Sequence, residues 1–153
     1  MAEDPGNPAD FAMKLLIVED EIRMADLLRK GLTEEGHNAM CAFDGAEGLA
    51  MAKAYEFDVI ILDPPTFSRS PGGKRFQVEH DFESLLIDAL ELAERDTHVL
   101  LSTNCSTLRE HALEVMARYC LKATRRAATF HRPAQLPDFP PGAGASSIWL
   151  TLR

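Results

Sequence analysis

Asp58-Val59-Ile60-Ile61-Leu62-Asp63-Pro64-Pro65-Thr66-Phe67 is the stretch on which the fold turns. Four consecutive apolar residues between two aspartates predict a short strand, Val59–Leu62, buried on both faces as in the middle of a parallel sheet. The proline pair ends it, because neither proline has an N–H to continue a ladder.

On the N-terminal side the pattern is strand, helix, strand, helix, which leads into that strand and implies a parallel sheet with right-handed crossovers. Leu15–Val18 is a second continuous apolar run. A helix is expected after it, with Met24, Leu27, Leu28 and Leu32 as the inward stripe and Gly36 as its stop. Asn38–Phe43 is expected as a strand closed by the turn dipeptide Asp44-Gly45, and a helix from about Ala46 to Tyr55 is expected to bury Leu49.

On the C-terminal side, residues 64–80 read as a long basic loop, with Pro71, Gly72, Gly73, Arg69, Lys74 and Arg75. A helix is expected from Phe82, with Leu85, Leu86, Ala89, Leu90 and Ala93 inward, and then a strand at His98–Leu101. Thr107 and Glu110 have capping-box spacing, and Leu108, Ala112, Val115, Met116 and Tyr119 are the expected inward set of the next helix. Strands are expected at Thr124–Phe130 and Ile148–Leu152, separated by a Pro/Gly-rich stretch from Arg132 to Ala145. Residues 1–12, polar and carrying Pro5 and Pro8, read as a leader or appended extension, and 13–153 as a single domain.

Charge divides along the same line. Residues 1–63 carry 5 basic and 14 acidic side chains, whereas residues 64–153 carry 11 and 10. The front half is therefore a poor match for a phosphate backbone, and RNA is not an expected partner. No apolar run is long enough to span a bilayer, so no membrane partner is expected. Cys41, Cys105 and Cys120 are too widely spaced for a zinc cluster and read as reduced thiols, which implies a cytoplasmic setting.

Glu19, Asp20 and Asp63 follow adjacent parallel strands at their carboxyl ends, the edge where open α/β sheets place their sites. Carboxylates gathered there repel one another and favour a hard divalent cation such as magnesium. The plainer reading is that Glu19 and Asp20 cap the following helix, where negative charge suits the dipole.

The segments LLIVEDE, AFDGAEGLAMA and DVIILD, within residues 13–63, resemble response-regulator receiver domains. The resemblance implies Asp63 as phosphoacceptor, Glu19, Asp20 and Asp63 as metal ligands with the Pro65 carbonyl, and Ser102 or Thr103 as the accompanying hydroxyl. Receivers also place a lysine at the end of the fifth strand. Lys74 lies in a loop and Lys122 precedes a strand, so that cation is missing. From Asp58 to Arg153, DVIILDPPTFSRS, LLSTNCS and WLTLR resemble S-adenosylmethionine-dependent methyltransferases of the ribosomal-RNA type. That resemblance implies Pro64-Pro65 near the methyl donor, Phe67 stacking a flipped base, and Cys105 as a vestigial ring-attacking nucleophile. The plainer readings are a strand stop, a packed aromatic and a small buried residue. The donor's Gly-rich turn is absent, since Glu19-Asp20-Glu21-Ile22 follows the first strand. S-adenosylmethionine is accordingly not expected to bind. Asp44 could stand where a ribose-binding acid would, but its turn already explains it.

The two resemblances overlap only at Asp58–Asp63. The expected fold is a three-layer α/β sandwich, flavodoxin-like in front and Rossmann-like behind. Its expected strand order is 2-1-3-4-6-5, with the last strand antiparallel. The expected function is that of an engineered chimera without full parental activity, keeping at most the acidic cluster and a phosphoryl donor as partner. The alternative is an RNA methyltransferase or a nucleic-acid-binding remnant.

Overall fold

The structure, a computed structural model, describes residues 12–65, 67–69, 75–134, 137, 140 and 144–153; of residues 67–69 and 75–80 it describes the backbone. The apolar runs form the strands they predict. β1 (Lys14–Val18), β2 (Asn38–Ala42) and β3 (Val59–Leu62) are followed by β6 (His98–Thr103), β7 (Ala128–His131) and β8 (Ser146–Leu152) in one six-stranded sheet of order β2-β1-β3-β6-β8-β7. This is the expected order, and β8 runs antiparallel to both neighbours. The stretch that decides the fold sits at the centre, with Ile60 against Leu16 on one side and Val99 on the other.

Four helices complete the described chain: α1 (Ile22–Glu34), α2 (Gly45–Ala54), α3 (Val78–Leu92) and α4 (Glu110–Ala123). The step from β1 to β2 runs one way along the sheet, and the later parallel steps run the other way. Right-handed crossovers therefore put α1 on one face and α2, α3 and α4 on the other. The main core lies under those three helices, built from alternate strand residues such as Leu16, Leu62, Leu101 and Leu150 with Phe82, Leu86, Leu90 and Leu113.

Several local expectations are corrected. In α1 the buried residue is Ala25; Met24 and Leu27 are exposed, and Leu28 and Leu32 are half-buried. The helix rests its small residue on the sheet and turns the larger ones to its flank. In α4 the buried set is Leu113, Ala117, Cys120 and Leu121, while Val115 and Tyr119 are exposed. Both phases of that helix are apolar, and the one with small residues is chosen because it lets the helix lie close to the sheet and α3. Thr107 is not the N-cap of α4: the helix starts at Glu110 with Arg109 at its cap position.

Asp44 is the N-cap of α2 and not only a turn residue. Its carboxylate accepts from the Glu47 N–H at 2.7 Å, and Glu47 accepts from the Phe43 N–H at 2.7 Å. The pair resembles a capping box shifted by one residue on the return bond, and it occupies Asp44. Gly36, with φ of 89°, ends α1 as expected. The 64–80 stretch is not all loop. It carries a short antiparallel hairpin, β4 (Phe67–Arg69) with β5 (Arg75–Gln77), and α3 begins at Val78, ahead of Phe82. Thr124 closes α4, so β7 starts later than expected, at Ala128.

Candidate functional site

β1, β3 and β6 end side by side, and their last residues build the site. The Glu19 N–H bonds to the Ala42 carbonyl at 3.0 Å and the Asp63 N–H to the Val18 carbonyl at 3.3 Å, which carries the sheet ladder one residue beyond each strand. Odd-numbered residues of β1 and β3 face α1, so Glu19 and Asp63 emerge on that face. Glu19 is buried, Asp63 half-buried and Asp20 exposed. Ser102, buried near the end of β6, hydrogen-bonds the Asp63 carboxylate. The site therefore draws on both halves of the chain.

Burial and neighbouring charge govern the protons here. Glu19 is pushed up to about 7, chiefly by desolvation, opposed by the Glu21 N–H and reinforced by the charges of Asp63 and Asp20. Asp63 is also raised by desolvation, and is pulled back by hydrogen bonds from Ser102 and Glu19. Glu19 is thus the carboxyl that keeps its proton and donates it, while Asp63 is the better acceptor.

The expected metal ligands are of the right kind, hard oxygens, but they are not arranged as a ligand set. Among the described residues no group of three or more His, Cys, Asp or Glu side chains is placed to hold a metal ion. Glu19 instead accepts the Glu21 N–H at 2.9 Å and shares its proton with its neighbours. The simple capping reading is partly met by a different residue. Glu21 is the N-cap of α1, and its carboxylate accepts from the N–H groups of Arg23 and Met24. That role was legible only as a third acid in Glu19-Asp20-Glu21. The helix N-terminus after β1 is thus capped by a negative group of the chain itself.

The other candidates are placed as follows. Thr103 does not join Asp63; its hydroxyl accepts from the Cys105 N–H at 3.1 Å on the opposite face. Cys105 is buried, with its Sγ 3.0 Å from Thr107 Oγ1. Pro64 is buried and Pro65 half-buried at the strand end. The Phe67 side chain, like Lys74, lies outside the described residues. Beside Thr103 in the sheet, Ser146 Oγ is a buried side-chain oxygen without a hydrogen-bond partner among the described residues, a feature with no sequence signal.

Comparison with known proteins separates the two halves. No family model matches the chain. The transcriptional activator protein IrlR of Burkholderia pseudomallei is 53% identical over 51 residues, which is 33% of this chain and 22% of that protein. The transcriptional regulatory protein CusR of Escherichia coli is 49% identical over 51 residues, again 33% and 22%. That length equals the receiver-like segment 13–63, and the chain spans about a fifth of those relatives. The fold as a whole is similar to something else. A SAM-dependent methyltransferase from Agrobacterium tumefaciens superposes with a TM-score of 0.58 at 15% identity, over 94% of this chain and 56% of that one. A protein from Streptococcus mutans, provisionally described as such a methyltransferase, gives 0.61 at 14% identity, over 94% and 46%. About a third of the chain is similar in sequence to these regulators, and the fold as a whole is similar to that of the methyltransferases. The chain is consistent with a two-part chimera. No helix among the described residues is long and apolar enough to cross a membrane.

Proposed function

We propose that the chain is an engineered fold chimera without the full activity of either parent, retaining at most a receiver-like acidic edge that binds a divalent cation weakly. The observation that carries this reading is the convergence of Glu19, Asp63 and the Ser102 hydroxyl from three neighbouring strands. The weakness follows from their state. A cation must displace the Glu19 proton and break the hydrogen bond it makes to Asp63, and each change costs binding free energy. Asp63 remains the candidate phosphoacceptor: its carboxylate oxygen would attack the phosphorus of acetyl phosphate as the bond to acetate breaks. No lysine among the described residues follows a strand to stabilise the added charge, so a lasting acyl phosphate is not expected. The three cysteines, all free, favour a cytoplasmic setting.

The test is a thermal scan with and without magnesium on the parent chain and on Asp63→Asn, together with phosphate-affinity gels after exposure to acetyl phosphate. Magnesium should raise the melting temperature of the parent alone, by mass action, with no retained adduct. Equal shifts, or none, would remove the metal reading. Calorimetry with S-adenosylmethionine should show no saturable heat at micromolar concentration. Saturable heat that depends on the turn after β1 would restore the methyltransferase alternative.

A further inference from the structure

We draw no further inference here: the strongest candidate, the half-exposed apolar strip of Ile61, Leu100 and Trp149 across β3, β6 and β8 on the sheet face beside α1, carries nothing because nothing in the structure shows what covers it.

Discussion

Helix α3 has a neighbour on each side, and the two contacts are packed differently. Against α4, which comes from the same methyltransferase-like half, the contact is closed to solvent: Leu86, Leu90, Leu113, Ala117 and Cys120 are all buried, and Cys120 Sγ sits 3.7 Å from the Glu83 carbonyl. Against α2, which comes from the receiver-like half, a cavity of about 20 Å³ remains, lined by Gly45, Gly48, Leu49 and Ala52 on one side and Leu85 and Ala89 on the other. The strands beneath show no such difference. β1, β3 and β6 pair in continuous register across the same seam. Backbone hydrogen bonds are blind to side-chain identity, so a strand such as Val59–Leu62 can serve two sheets equally well. Helix–helix contacts depend on matched volumes, and there the join leaves a void.

The largest effect that tests this contrast is a pair of truncations. Leu113→Ala, on the closed side, should cost about 3–4 kcal/mol, the usual loss for a fully buried leucine in a site that cannot collapse. Leu85→Ala, at the edge of the void, should cost only about 1 kcal/mol because it already lacks contacts on one side. Urea unfolding of both measures the difference. Equal costs would mean that the seam is as well packed as the rest.

The same contrast explains what was legible in the sequence. Strand positions and order followed from apolar runs such as Leu15–Val18 and Val59–Leu62, because period and continuity are properties of single segments. The inward face of α4 did not, because Ala112, Val115 and Met116 are as apolar as Leu113, Ala117 and Leu121, and only the neighbouring helix decides between the phases. At the acidic edge the residues Glu19, Asp20 and Asp63 were legible. The identity of the capping acid was not, nor was the turning of Thr103 toward Cys105, because both depend on which N–H each oxygen reaches. The hairpin inside 64–80 was hidden by its prolines and glycines, which read as loop.

A second test uses a polar side-chain contact across the seam, where Asp63 and Ser102 meet beside Glu19. Glu19, 6% exposed, has an acid dissociation raised from 4.5 to about 7 in the folded chain. Its proton is held more tightly folded than unfolded. Its contribution to stability is therefore complete below about pH 4.5 and is lost as pH rises through 7, amounting to about 2 kcal/mol after allowing for coupling to Asp63. Glu19→Gln should flatten stability over that window. A parent whose stability rises from pH 5 to 8 would contradict the proposed sharing of the proton.

Gly48→Ala probes the tight end of the α2 contact. A Cβ there would lie 2.9 Å from Val18 Cγ2, a β-branched side chain held in the sheet core. The gain in helix propensity, about 1 kcal/mol, is set against overpacking of about 1–3 kcal/mol, so a net loss of about 1 kcal/mol is expected. A gain in thermal stability would mean that α2 is free to lift from β1.

Gly45→Ala probes the loose end, and its effect should be the smallest and of opposite sign. Gly45 is the first residue of α2, immediately after its Asp44 cap, and its φ is not in the left-handed region. Alanine therefore brings no backbone strain and reduces the freedom of the unfolded chain. Its Cβ would stand 3.3 Å from Leu85 Cδ1. In a filled contact that would be a clash, but Leu85 Cδ1 is the end of a flexible side chain bordering the cavity, and it can turn into the empty volume. The added methyl and the displaced leucine would then both gain contacts where there are none now, and about 0.5 kcal/mol of stabilisation is expected. Combining the change with Leu85→Ala separates the two sources by double-mutant cycle. A gain that survives the loss of Leu85 belongs to the backbone alone, whereas a gain that disappears with it belongs to the filling of the seam.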